Sequence, residues 1–290
     1  MTAPAPTPFV FTRAKKARFL ARYVLDKTVG LTVDLERGRL RLFVYEAVYS
    51  VCRLLGRAPL PMRWLSITEV HSRFGRFFVR IGTIDVACAS PAFERPDVDR
   101  LLAELADRTA DGREVLFVDV GADLGTYAVA VARRLPGTRA VAFEPSRHSH
   151  ELLTRNITAN GLADRVVTRR AACGDGGATT AVLTYDPAEP GSSGVRPDLV
   201  HGGDQEVVTL TTLDRELAAE APDVLAVKLD VEGYEVNVLE GARDVIARSG
   251  ETLLLVEDFV DDSVVRYLQD EDWTFVDKLT PYNSFWRKVR

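Results

Sequence analysis

The sequence predicts an α/β fold in which a mainly parallel sheet is covered by helices on both faces. Three observations lead there. From residue 115 onward, apolar strand-like segments alternate with amphipathic helical ones. The first of these strands runs through a glycine turn into a helix, "FVDVGADLGTYAVAVARRL", Phe117 to Leu135. Several strand candidates end on a carboxylate, Glu144, Asp230 and Glu257 among them. With 290 residues, 46% apolar and 27% charged, the composition is that of a globular protein with ample material for a core.

In chain order, the Pro/Ala/Thr-rich start is expected to be a disordered lead-in. Residues 12–28 and 39–56 read as helices. Leu40, Phe43, Val44, Ala47, Val48, Val51, Leu54 and Leu55 recur at helical spacing before Gly56, Pro59 and Pro61 stop the second one. Such a stripe more often faces the main domain or a second subunit than a membrane surface. Arg76 to Ser90 is strand-like with a turn at Gly82, and Asp97 to Arg108 is an amphipathic helix with Asp97 as N-cap. The boundary falls near 109–114, giving a basic, mainly helical segment over 1–110 with a short strand region, and the main domain over 111–290. In that domain the strand candidates are Val115–Val120, Ala140–Glu144, Val166–Arg170, Ala178–Tyr185, Leu225–Leu229, Thr252–Val256, Thr274–Asp277 and Phe285–Val289. Helices fit Thr126–Leu135, Arg147–Asn160, Asn237–Ala242 with its extension, and Ser263–Asp270. Ligands of such sheets bind beyond the C-terminal ends of the strands.

Composition narrows the function classes. The net charge of -5 divides unevenly: residues 1–110 carry 18 Lys and Arg against 11 Asp and Glu, net +7, and the rest is net -12. The basic front half could face an anionic lipid surface, a phosphorylated substrate or a partner, but two solvated faces of one protein explain it better. No nucleic-acid motif accompanies it, so no nucleic acid is expected. Cys52, Cys88 and Cys173 are far apart, which points to a reducing compartment, the cytoplasm, and away from a disulfide framework. No apolar run is long enough to span a bilayer, and the start lacks a signal-peptide stretch.

The turn "GADLG" carries the most chemistry. Gly121 and Gly125 allow the bend and the approach of a ligand. A dinucleotide fingerprint would place its second glycine where Asp123 stands, and a carboxylate there repels pyrophosphate. The ligand should therefore be neutral or cationic at that point. S-adenosylmethionine fits, with Asp119 accepting from its ammonium group. Glu144 ends the second strand 23 positions after Gly121, where a carboxylate can take ribose hydroxyls. The candidate contacts extend to Ala122, Thr126 and Tyr127 along the turn, and to Pro145 and Ser146 after Glu144. In "RRAACGDGG", the small residues Ala171, Ala172 and Gly174 suit a loop covering adenine, with Cys173 among its candidate contacts, and Asp175 either bonds the exocyclic amine or belongs to an ordinary Gly-rich turn.

"FVDVGADLGTYAVAVA", "AFEPS", "RNITANGLADRV", "TLTTLDREL", "AVKLDVEGYEVNVLEGA" and "LLLVED" occur in the order of the FkbM-type methyltransferases, and the chain resembles that family over roughly residues 115–290. The resemblance implies a class I methyltransferase fold, Rossmann-like, with seven strands in the order 3-2-1-4-5-7-6 and the seventh antiparallel. It also implies methyl transfer from S-adenosylmethionine, usually to a hydroxyl of a sugar, polyketide or other metabolite. Asp119, Gly121, Asp123, Gly125, Glu144 and the Ala172–Asp175 loop become cofactor contacts, and Asp230 sits beside the transferable methyl. The basic front segment and an insertion near His201 depart from the family pattern.

An alcohol is a poor nucleophile, so a base or a metal must help to remove its proton. Lys228 and Asp230 share parity on one strand; Glu232 and Glu235 follow it, and Glu257 and Asp258 end the next strand. Asp230, Glu232 and Glu257 are expected to converge at one mouth. One of them then acts as base with a raised pKa, or two hold Mg²⁺. Glu232 reads equally well as a helix cap. His148 and His150 fall on different helix faces and make a poor metal pair. His201, in "DLVHGGDQE", is a loop candidate for catalysis. Ser192 and Ser193 in "EPGSSGVRP" could meet a polar acceptor from a loop. Tyr282, Asn283 and Trp286 could stack on a sugar, although Trp286 suits the core. The leading reading is an S-adenosylmethionine-dependent O-methyltransferase acting on a small hydroxylated metabolite or sugar. A nicotinamide-dependent oxidoreductase, disfavoured by Asp123, and a membrane-docked binding protein with a relict fold are the alternatives.

Overall fold

The structure, a computed structural model, describes residues 67–80, 83–90, 93–186, 189–196, 204–258, 260, 262–278 and 280–290. The lead-in, the helices expected over 12–28 and 39–56, Cys52, Gly82 and His201 lie outside the described residues.

Seven strands form the main sheet. β3 (Val115–Val120), β4 (Arg139–Phe143), β5 (Val166–Arg169), β10 (Val224–Leu229), β11 (Glu251–Glu257), β12 (Thr274–Asp277) and β13 (Asn283–Val289) lie in the order β5-β4-β3-β10-β11-β13-β12. Renumbered along the chain, this is 3-2-1-4-5-7-6. All pairs are parallel except those of β13 with β11 and β12. The expected class I methyltransferase topology is therefore present. Ahead of it come β1 (Ile67–His71) and β2 (Arg76–Arg80), an antiparallel hairpin, then α1 (Asp85–Cys88) and α2 (Arg95–Ala110). The sheet is flanked by α3 (Thr126–Arg134), α4 (Arg147–Ala159), α5 (Leu213–Glu216), α6 (Glu235–Glu240), α7 (Arg243–Arg248) and α8 (Ser263–Asp270).

Strand alternation divides the core into two layers. On β3, Val115 and Phe117 enter the layer shared with α2, α3 and α4, whereas Leu116, Val118 and Val120 enter the layer under α6, α7 and α8. β10 and β11 repeat the pattern through Val224 and Ala226, and through Leu253 and Leu255. The same parity brings Asp119, Lys228 and Glu257 to the α2–α3 face at the C-terminal strand ends. Phe77 and Val79 of β2 and Leu101 and Leu105 of α2 are fully buried in that layer, so this part of the front segment and the sheet share one core.

Four local expectations are corrected. Ala178–Tyr185 does not join the main sheet. As β7 (Thr180–Asp186) it pairs with β8 (Glu189–Gly194) and β9 (Asp204–Thr211) in a second, four-stranded sheet with β6 (Ala172–Cys173). The stretch holding Ser192 and Ser193 is thus strand β8, its loop-like composition overridden by pairing with β7. The strand-like reading of Arg76–Ser90 stops at Arg80. There the Asp85 carboxylate accepts the Arg80 amide and the Thr83 hydroxyl bonds the Arg80 carbonyl, turning the chain into α1. Asp97 is not an N-cap. α2 starts at Arg95 behind left-handed Glu94, and Asp97 is buried within its first turn, accepting from Thr280 Oγ1 at 2.7 Å and Asn283 Nδ2 at 3.0 Å. Burial and neighbouring Glu94 raise the Asp97 pKa to about 7.

Candidate active site

The glycine turn is laced onto the end of β4. The amides of Gly121 and Ala122 donate to the Phe143 carbonyl, at 3.1 and 2.9 Å. Glu144, 6% exposed, accepts the Asp123 amide on one oxygen and the Ser146 amide on the other, both at 2.9 Å. Gly121 has φ +78, and a Cβ there would lie 1.8 Å from the Asp230 carbonyl oxygen, so close backbone approach as well as the bend demands glycine. Asp123 itself is left-handed at φ 43, a region that Asp tolerates better than most residues. Burial, then Asp85, raise the Asp123 pKa to about 6; burial, then Asp123, raise that of Glu144 to about 8.

Asp119, next to last in β3, is 1% exposed. One carboxylate oxygen accepts the Ala128 amide at 3.0 Å; the other, Oδ1, is buried with no partner. Burial lifts the Asp119 pKa to about 6, against the pull of the Lys228 ammonium. A buried acceptor lacking a donor is costly, and a cationic or N–H ligand group would satisfy it.

The second half of the site lies on β10 and β11. Lys228, in register with Asp119, is 5% exposed; its Nζ lies 2.8 Å from Asp230 Oδ2 and 5.3 Å from the centre of the Tyr127 ring. Burial alone would lower the Lys228 pKa, but the Asp230, Asp119 and Glu94 carboxylates outweigh it and hold the pKa above the ordinary lysine value. Lys228 is therefore an ammonium that organises carboxylates, not a proton acceptor. Asp230, Glu232 and Glu257 do converge: each offers an oxygen within 4.8 Å of the others. Glu257 Oε2 is buried without a partner, and burial followed by Asp230, Glu232 and Glu235 pushes its pKa well up. Burial and Asp230 raise Glu232 to about 7. Glu232 does not cap α6. Glu235 accepts the Val231 and Gly233 amides instead, at 3.2 and 3.1 Å, which directs Glu232, at φ 54, toward Asp230 and Glu257. Asp258 is turned aside to Lys278.

Other candidates are held by structural contacts. Thr126 is buried with its hydroxyl on the Cys88 carbonyl at 3.2 Å, and Tyr127, its ring beside Lys228, donates its hydroxyl to Glu94 at 2.7 Å. Ala172 and Cys173 are buried in β6 instead of forming a loop, because they pair with Leu210 and Thr211 of β9. Asp175 is exposed and closes its turn on the Gly177 amide, with its second oxygen on Asn237 Nδ2. Pro145 is half-buried and Ser146 buried behind Glu144. Trp286 is core, edge-on to Phe275, and Asn283 bonds Asp97; Tyr282 is 45% exposed. His148 is exposed and His150 half-buried on α4.

Sequence reasoning missed Glu94, Asp97, Arg80 and Asp85. Glu94 bonds Tyr127 and faces Lys228, and burial raises its pKa. Asp85 was detectable as a charge inside the apolar run "TIDVACA", because a buried carboxylate needs a partner. Glu94, just before Pro96 and α2, gave no such signal.

A class I methyltransferase sheet whose strand ends carry this glycine turn and these carboxylates defines the class. Residues 119–272, just over half of the chain, match the methyltransferase FkbM domain, and the chain belongs to that family. It is 30% identical over 155 residues to methyltransferase sdnD of Sordaria araneosa, a match covering 43% of this chain and 59% of that relative. It is 26% identical over 175 residues to hexuronic acid methyltransferase AglP of Haloferax volcanii, covering 60% and 67%. The chain thus spans little more than half the length of sdnD. A putative tRNA (m1A22) methyltransferase of Streptococcus pneumoniae, solved in complex with S-adenosyl-L-methionine, is a loose structural likeness: TM-score 0.38, 13% identity, 66% of this chain and 70% of that one. Among the described residues, no helix is long and apolar enough to cross a membrane.

Proposed function

We propose that the chain is an S-adenosylmethionine-dependent O-methyltransferase whose acceptor is a hydroxyl of a small polyhydroxylated metabolite, a sugar being the favoured class. The carboxylate trio Asp230, Glu232 and Glu257, with its orphaned buried oxygen, carries this reading. A hydroxyl must lose its proton as it attacks, and a buried carboxylate of raised pKa is suited to receive it. The name of the hexuronic acid relative supports a sugar acceptor.

The residues fit the cofactor. Asp119 Oδ1 is an unsatisfied acceptor for an ammonium, and Glu144 is a strand-end carboxylate with lone pairs left for ribose hydroxyls. The net negative charge around Lys228 suits a cationic ligand. S-adenosylmethionine, when bound, supplies an electrophilic methyl carbon. Asp230 orients the acceptor oxygen under the hold of Lys228, and Glu257 takes up the proton at its unpartnered Oε2. The orphaned oxygen and the 4.8 Å spacing also support a second reading, in which the trio holds a divalent cation that acidifies the hydroxyl.

Titration calorimetry with S-adenosylhomocysteine and with NAD, followed by transfer of labelled methyl to a panel of uronic acids, hexoses and polyols, tests the proposal. Heat with the first ligand only, and label in an ether, are expected; binding of NAD alone would overturn it. EDTA separates the two mechanisms: unchanged turnover leaves the carboxylate base, and loss restored by Mg²⁺ favours the cation.

A further inference from the structure

Arg80 lies at the end of β2, outside the residues that match the family, yet its side chain reaches the cofactor turn. Its Nε and Nη2 bind the Asp85 carboxylate as a fork, at 2.7 and 3.0 Å, and Asp85 is fully buried. Nη2 also lies 3.5 Å from Asp123 Oδ1 and 3.2 Å from Ser149 Oγ on α4. Asp85 in turn accepts the Arg80 amide at 2.8 Å, so guanidinium and backbone are held together. Three carboxylates, Asp85, Asp123 and Glu144, face this one guanidinium. Beyond them, the groups facing Asp123 are Ser149 and, farther off, Lys228.

We infer that Arg80 is a positioning residue for the cofactor turn: its guanidinium, anchored by Asp85, holds Asp123 against the end of β4 and so fixes the geometry in which Glu144 meets the ribose. The inference rests on the proposed cofactor and goes beyond it, because it makes the β1–β2 hairpin part of the site. The physical reason is charge. Asp123 sits left-handed with its amide on Glu144, so two carboxylates are brought together with no other nearby cation among the described residues than Arg80 and the more distant Lys228. Without Arg80 they repel, and the turn opens or takes up a proton. A planar guanidinium forks onto Asp85 and still reaches Asp123, which a lysine does not.

The test uses the full chain with Arg80→Met, Arg80→Lys, Asp123→Asn and the Arg80→Met/Asp123→Asn pair. Amide hydrogen exchange over residues 121–125, read by mass spectrometry without ligand, should speed up in Arg80→Met near pH 8. It should return toward wild type in the double variant, which removes the charge that Arg80 balances. Arg80→Lys should fall between. S-adenosylhomocysteine affinity should drop about tenfold or more in Arg80→Met near pH 8 and less near pH 5, with the double variant close to Asp123→Asn alone. Unchanged exchange in folded Arg80→Met or Arg80→Lys would overturn the inference. So would a loss of affinity that is equal at both pH values and not rescued by Asp123→Asn, since that marks a merely structural role. A wild-type protein that ignores S-adenosylhomocysteine would instead overturn the cofactor reading, and the exchange result alone would then decide the role of Arg80.

Discussion

Lys228 Nζ and Asp230 Oδ2 stand 2.8 Å apart at the end of β10, and the same ammonium approaches the Gly121 carbonyl at 3.4 Å. One cation thus ties the end of β10 to the glycine turn. Asp119 and Glu94 share its field.

Replacing Asp230 by Asn keeps the shape and removes the charge. Methyl transfer should fall by about 10²-fold, the range for an acceptor oxygen that is no longer held in line, while S-adenosylhomocysteine affinity stays within a few-fold. Single-turnover kinetics beside calorimetry separates the two. Wild-type transfer in this variant would remove Asp230 from the mechanism.

The ligand-free protein should lose stability as pH rises. Asp119 and Asp123 titrate at about 6, Asp97 at about 7 and Glu144 at about 8, all raised chiefly by burial. Between the unfolded carboxylate pKa of about 4 and these values, the folded state binds more protons than the unfolded one. That stability is complete below about pH 4 for these groups and is lost as pH climbs toward 8. Urea midpoints at pH 5.5 and 8 should show the fall, and a cationic cofactor should reduce it. Rising midpoints would contradict the burial of these groups.

Gly121→Ala should be poorly tolerated. The new methyl would meet the Asp230 carbonyl at 1.8 Å, on a backbone at φ +78. β3 and β10 must separate or the turn must rearrange, with an expected cost above about 2 kcal/mol and loss of cofactor binding. Gly137→Ala, with nothing within 4 Å, is the control. Thermal melts of the two variants compare them directly.

Far from the site, Glu251 is buried at the start of β11 and accepts from Arg108, Arg113 and Arg287. Burial alone would raise its pKa, but the arginines outweigh it and pull it down to about 2. Its contribution is present above the unfolded pKa of about 4 and lost as pH falls through about 2. Because the arginines are partly exposed, Glu251→Gln should cost about 2 kcal/mol at pH 7, less than a fully buried pair. Chemical denaturation at pH 7 and 3 should find the difference at pH 7 shrinking at pH 3.

The main sheet was legible because burial on both faces leaves a strong apolar signature: β3, β10 and nearly all of β11 are buried. The convergence of Asp230, Glu232 and Glu257 was legible too, from strand parity together with the strand order that the family resemblance implies. β8 and β9 were not. Glu189–Gly194 has the composition of a turn, and the first residues of Asp204–Thr211 are polar. Their pairing with β7 overrides local preference.

The amino-acid sequence alone determined the main strands, the glycine turn and which carboxylates end those strands, because these depend on local periodicity; the order of the strands came with the family resemblance. Only the tertiary structure decided which cation answers which carboxylate. Lys228 among Asp119, Asp230 and Glu94, and Arg80 among Asp85, Asp123 and Glu144, are contacts between segments far apart in the chain. Charge pairing depends on distance in space and on burial, and neither is written in the spacing of residues.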